Sequence, residues 1–247
     1  MKRRVLYLGD GTLRGAARYL AGVLSHYRIP FDHIPTDRPL SGKKLRRGYG
    51  LFILSDYPSR NLSFLFQRQI VREVAEGAAL LMIGGWSSFE GLDGCYKGTP
   101  IGNILPVVLS AKDDRLNSEG GVIVYPKGGV PFLKGISFRR SPVIAGLNRL
   151  SAKREAEVFL WAREIVPQYP RMSLGRKEYP LLVVGTYRGG KVAALATDVA
   201  PHWVGSFVDW GKTRVSLRVK RGVEAEVGDK YLRLLGNLIK TLLQGLL

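Results

Sequence analysis

The chain is 247 residues long, 45% hydrophobic and 23% charged, with a formal net charge of +18. Such a composition can bury one sizeable core, and no apolar run approaches the roughly 20 residues of a membrane span. The single cysteine, Cys95, excludes an internal disulfide and fits a reducing compartment.

The expectation is a soluble cytoplasmic protein without a membrane segment, forming one domain over residues 1–247. The opening "MKRRVLYLGDG" is basic and then apolar, but Gly9-Asp10-Gly11 cuts the apolar part too short for a signal sequence. Val5–Gly9 therefore reads as a buried first strand. In the next segment Leu13, Ala17, Leu20, Leu24 and Tyr27 recur at helical spacing. "FDHIPTD" is a weak second strand, "RPLSGKKLRRGYG" a basic loop and "LFILSD" a strand buried on both faces. "SRNLSFLFQRQIVREVAEG" predicts an amphipathic helix closed by Gly77, before the apolar strand "ALLMIGG". Short apolar strands alternating with helices require crossover connections, hence a parallel sheet covered on both faces.

Between about 110 and 180 the pattern becomes irregular and β-rich, within the same domain. "GTPIGNILPVVLS" gives a helical turn; "GGVIVYPKGGVPFLKGI" and "EAEVFLWAREIVP" read as strands. Leu181–Tyr187 and Lys191–Thr197 flank "RGG", a hairpin signal. A basic strand-like stretch around Val215–Val219 precedes a last helix. Its stripe is Tyr231, Leu234, Leu235, Leu238, Ile239 and Leu242, with Asp229 as N-cap.

Three apolar strands end in aspartate, at Asp10, Asp56 and Asp198, and a fourth ends in Gly84-Gly85. In an open parallel sheet such ends face one crevice, where ligands bind. The carboxylates suit hydroxyl groups or a hard cation, or they merely cap the following turns. No zinc spacing exists, because His26, His33 and His202 are isolated. "GDG" lacks the remaining residues of a dinucleotide or P-loop motif, so no cofactor and no metal are expected. His202, just past Asp198, is a candidate acid or base. Trp203 and Trp210 suit stacking on a sugar or flat ligand, or covering the core. Cys95 has no neighbour that would stabilise a thiolate. The basic clusters Lys2–Arg4, Lys43–Arg47 and Arg218–Arg221 are short and scattered, which disfavours nucleic acid without excluding it. The sequence is silent on oligomeric state.

"VLYLGDG", "GGWSSFEG", "YKGTPIGNILPV", "PVIAGLNRLSAKREAEVFL" and "PLLVVGTYRGGKVAALATDVAPHW" occur in this order. Together they resemble the class I glutamine amidotransferase-like proteins, from Val5 to about Trp210. The resemblance implies a flavodoxin-like three-layer α/β/α sandwich with a mostly parallel sheet and a C-terminal β-hairpin. Working enzymes of that class carry a cysteine in a Gly-x-Cys-x-Gly elbow, and Trp86 occupies the matching position here, with Ser88 in place of the second glycine. His202 matches the partner histidine, but no glutamate follows it at the expected spacing. Glutamine hydrolysis by a thiol is therefore not expected. The site should comprise Asp10, Asp56, Gly84, Gly85, Trp86, Ser87, Ser88, Asp198, His202 and Trp203, and bind a small polar metabolite such as a carbohydrate. Ser87 with His202 as base, or a carboxylate with His202, is the hydrolytic alternative. A basic scaffold holding an acidic partner is a third reading.

Overall fold

The computed structural model describes residues 4–128 and 131–245. Lys2 and Arg3 of the first basic cluster, and Gly129 and Val130 of the expected middle strand, lie outside them. In chain order the elements are β1 (Val5–Gly9), α1 (Arg18–His26), β2 (Phe31–Ile34), α2 (Gly42–Leu45), β3 (Leu51–Ser55), α3 (Phe64–Ala75) and β4 (Ala79–Ile83). They continue with α4 (Pro100–Ile104), β5 (Val107–Val108), β6 (Arg115–Pro126), β7 (Val143–Asn148), β8 (Ser151–Ala152), β9 (Glu157–Gln168), β10 (Arg171–Tyr187) and β11 (Gly190–Leu195). The last are α5 (Pro201–Val204), β12 (Arg214–Lys220), β13 (Val223–Gly228) and α6 (Asp229–Gln244).

The fold is mixed α/β, built on a nine-stranded sheet in the order β2-β1-β3-β4-β11-β10-β9-β6-β7. The first five strands of that order run parallel, and the other four alternate in direction. Every residue of β1, β3 and β4 is buried, as central strands covered on both faces require. The chain leaves β1 toward β2 on one side, then returns past β1 to β3 and β4 on the other. Right-handed crossovers in opposite directions put α1 and α3 on opposite faces. Accordingly α1 packs on the β12–β13 hairpin and α6, whereas α3 packs on α4 and β11. All six apolar stripe residues of α6 are buried.

The "RGG" hairpin is present, with Tyr187 paired to Gly190. Several local expectations shift. The third helix begins at Phe64, capped by Ser63, whose hydroxyl accepts from the Phe66 N–H at 3.3 Å. The expected basic loop contains the short helix α2. Asp229 is not the N-cap of α6: Gly228 holds that position, and Asp229 Oδ1 instead accepts from the N–H groups of Lys212 and Thr213 at 2.7 and 3.2 Å. No described helix is long and apolar enough to cross a membrane.

Candidate functional site

The strand order reverses between β1 and β3, and Asp10 and Asp56 follow those two strands directly. Ligands of open α/β sheets sit at such a reversal, outside the carboxyl ends of the strands. β4 and β11 run parallel beside β3, so Gly84-Gly85 and Asp198 share the same edge. Asp10 and Asp56 adopt positive φ of 54° and 47°, a conformation that short polar side chains tolerate best. The surrounding chain holds them there. The Asp10 N–H donates to Ser55 O at 2.9 Å and its carbonyl accepts from the Ala17 N–H at 2.8 Å. The Asp56 N–H donates to Ser88 Oγ at 3.0 Å, and its carbonyl accepts from Thr36 Oγ1 at 2.7 Å.

The turn after β4 is shaped around Asp56. Gly85 has φ of 150°, and a Cβ there would stand 2.1 Å from Asp56 Oδ1, so only glycine leaves the carboxyl its place. The Asp56 Oδ1 accepts from the Ser87 N–H at 2.7 Å. Asn148, fully buried at the end of β7, clamps the turn by accepting from Gly85 N–H at 3.0 Å and donating to Gly85 O at 3.2 Å. It also donates to buried Asp114 at 2.6 Å, whose carboxylate accepts from the N–H groups of Glu90 and Gly91. The Gly84 N–H is spent on Leu195 O at 2.7 Å. Both glycine donors thus serve the fold and not the crevice. Ser88, buried, donates from Oγ to Ile83 O at 2.6 Å and ties β3 to β4.

A 790 Å³ cavity opens at this edge, lined by Asp56, Trp86, Asn117, Ser118, Glu119, Ala145, His202 and Trp203. Four of the expected residues therefore face it: Asp56, Trp86, His202 and Trp203. Asp10 and Asp198 stand behind it, 4% and 2% exposed. Asp198 Oδ2 meets His202 Nδ1 at 2.6 Å, and its Oδ1 accepts from the Ala200 N–H at 2.8 Å. Held in this way, the imidazole has Nε2 left for a ligand. The hydrogen bond to Asp198 raises the His202 pKa above its ordinary 6.5 against the opposing effect of partial burial. Burial and the nearby Asp198 push Asp56 up to about 7 despite the Ser87 N–H and His202. Burial, with Asp198 and Asp56 close by, raises Asp10 well above the usual carboxyl range. Its Oδ2 accepts from the Tyr7 hydroxyl. Burial and mutual repulsion thus oppose the ionisation of Asp10 and Asp56, as like charges out of water do.

Trp86 is half exposed, and the Arg115 guanidinium lies 4.6 Å from its ring centroid. Trp203 is buried and donates from Nε1 to Asn117 Oδ1 at 2.8 Å. Trp210 covers the core, donating to Arg140 O at 2.7 Å and packing on Phe138. No hydrogen bond joins Ser87 to His202 among the described residues, and the imidazole is bonded to Asp198 instead. Neither Trp86 nor Ser87 has a positive φ, so the strained elbow of a nucleophile is absent from both. Cys95 is exposed, its carbonyl accepting from Ser59 Oγ at 2.8 Å. No group of three or more His, Cys, Asp or Glu side chains is arranged to hold a metal among the described residues.

Sequence reasoning missed Asn117, Ser118, Glu119 and Asn148. The last lies in "PVIAGLNRLSAK", but its partner Gly85 is 63 positions away, so no local pattern marks the contact.

A family model described as "Putative glutamine amidotransferase", GATase1-like, matches residues 66–219. No curated protein matches the chain. A cytoplasmic protein of Salmonella typhimurium is similar in structure at a TM-score of 0.74 and 24% identity, over 98% of this chain and 99% of its own. A second, from strain LT2, gives 0.73 and 25%, over 97% and 99%. A ThuA-like protein of Parabacteroides merdae shares the fold at 0.61 and 12%, over 99% and 91%. The family match spans more than half of the sequence, and the chain belongs to the GATase1-like family.

Proposed function

We propose that this member of the GATase1-like family works without a thiol nucleophile and binds a small polar metabolite at the carboxyl edge of its sheet. The observation that carries the reading is one cavity, onto which Asp56 and the Asp198-held His202 both open between two tryptophans. A tryptophan cannot attack an amide, and Trp86 stands where the resemblance puts the cysteine. Asp56 and His202 supply hydrogen bonds, while Trp86 and Trp203 form apolar walls, the mixture that small-molecule sites use. On this reading the whole chain is one three-layer α/β/α domain acting in the cytoplasm. A thermal-shift screen of sugars and amino acids tests it. A ligand response lost in Asp56→Ala and His202→Ala supports the reading, and a response indifferent to both removes it.

A hydrolytic second reading is favoured by one observation. Asp56, raised to about 7 by burial and Asp198, and His202, held through Nδ1 by Asp198, line the same cavity, which puts a carboxyl and an imidazole against one ligand. Profiling with ester, amide and glycoside substrates tests this, and turnover that survives His202→Ala eliminates it. The Ser87 form of this reading is weaker, because no hydrogen bond joins its hydroxyl to His202 among the described residues and its backbone is not strained.

A further inference from the structure

Trp86 is not a loose surface tryptophan. The Arg115 guanidinium stacked on it is fixed in turn by Asp113, with Nε at 2.9 and 3.0 Å from the two carboxylate oxygens and a second nitrogen at 2.6 Å. Arg115 is absent from the cavity lining, whereas Trp86 is part of it. The ring is therefore braced on one side by an ion pair and offers its remaining surface to the cavity. A ring held before the ligand arrives loses little entropy on binding, which favours stacking.

The polar lining is mixed in character. Asn117 Oδ1 is committed to Trp203 Nε1, which keeps the Nδ2 donor for other partners. The Ser118 hydroxyl donates to Gly121 O at 3.0 Å, so toward the cavity its oxygen accepts. His202 Nδ1 is taken by Asp198, leaving Nε2. Asp56 and Glu119 add carboxyl groups, one of them close to a titrating imidazole. A bound anion would need donors and would meet two carboxyl groups. A bound cation would need acceptors and would meet His202 and the Asn117 amide. A hydroxyl both donates and accepts, and it is the ligand group that this lining can satisfy from either side.

We infer that the cavity takes a neutral, hydroxyl-rich ring, a monosaccharide or related cyclic polyol, laid against the open surface of Trp86, away from Arg115. Its apolar C–H face covers the indole, and its hydroxyl groups meet Asp56, Glu119, Asn117 and His202. This inference rests on the small-ligand reading above and narrows it to one chemical class. Trp86 and Glu119 then determine specificity, Trp86 by shape and Glu119 by rejecting acidic rings.

Calorimetric titration at pH 7 with D-glucose, myo-inositol, D-glucosamine and D-glucuronate tests the class. The neutral rings should bind more tightly than the cationic and anionic ones. Trp86→Ala should weaken that binding by about tenfold, equivalent to ~1.4 kcal/mol, and Trp86→Phe should restore most of it. Trp86 is half exposed, so the alanine variant should keep its fold, and its circular dichroism is checked alongside. Tighter binding of glucosamine or glucuronate, lost in Asp56→Ala, overturns the neutral-ring class and leaves the small-ligand reading standing. Neutral-ring binding indifferent to Trp86→Ala overturns the stacking. No heat from any of the four probes overturns the class, and if amino acids also fail the reading beneath it falls too.

Discussion

Replacing Asp56 by asparagine should stabilise the protein, and increasingly so as the pH rises. The folded environment moves this carboxyl from 3.8 to about 7, mainly by burial and by Asp198. A raised carboxyl binds its proton more tightly in the folded state, so it contributes nothing below about pH 3.8 and an increasing penalty from there to pH 7. At 1.36 kcal/mol per pKa unit the complete penalty is about 4 kcal/mol, of which about 2–3 kcal/mol develops between pH 5 and pH 8. Asparagine keeps an oxygen for the Ser87 N–H and never ionises. Guanidinium denaturation of wild type and Asp56→Asn at both pH values measures the difference, and titrating groups remote from Asp56 cancel between the two proteins. The variant's advantage should grow by about 2–3 kcal/mol from pH 5 to pH 8. An advantage independent of pH, or a variant less stable at pH 8, would refute the buried, proton-binding Asp56.

Asn148→Ala strips the buried clamp from the Gly85 N–H and from Asp114 and should cost about 3 kcal/mol, read as a lower denaturation midpoint; an unchanged midpoint contradicts the clamp. Gly85→Ala places a Cβ 2.1 Å from Asp56 Oδ1 at φ 150°, so it should destabilise by more than about 2 kcal/mol. That cost should shrink when Asp56 is alanine, the coupling expected of groups in contact, and equal costs in both backgrounds would deny it. Asp198→Asn should lower the His202 pKa, followed by NMR of the ring protons, because the carboxylate bonded to Nδ1 is the chief cause of its elevation. An unmoved titration would mean that Asp198 does not control the imidazole.

The parallel half of the sheet was legible because its strands are buried on both faces and so appear as short, uniformly apolar runs. The aspartates stood out because each closes such a run. The antiparallel half was not legible in detail. β10 runs for 17 residues through Gly175, charged Arg176, Lys177 and Glu178, and Pro180, with register shifts against β9, so alternation breaks repeatedly. β13 was missed although Glu224 and Glu226 alternate with buried Val223, Ala225 and Val227, the period-2 pattern of a half-buried strand. The cavity wall contributed by Asn117, Ser118 and Glu119 comes from β6, whose pairing to β7 and β9 depends on contacts distant in sequence. The Asp229 cap failed for a related reason, since that carboxylate serves the 212–213 backbone, which local spacing cannot reveal.

A crystal structure of the protein soaked with the best-stabilising compound of the screen tests the central claim most directly. The account predicts density inside the cavity, against Trp86, with polar atoms within hydrogen-bond reach of Asp56 and His202 Nε2. A compound bound elsewhere, or joined covalently to Cys95, would contradict it.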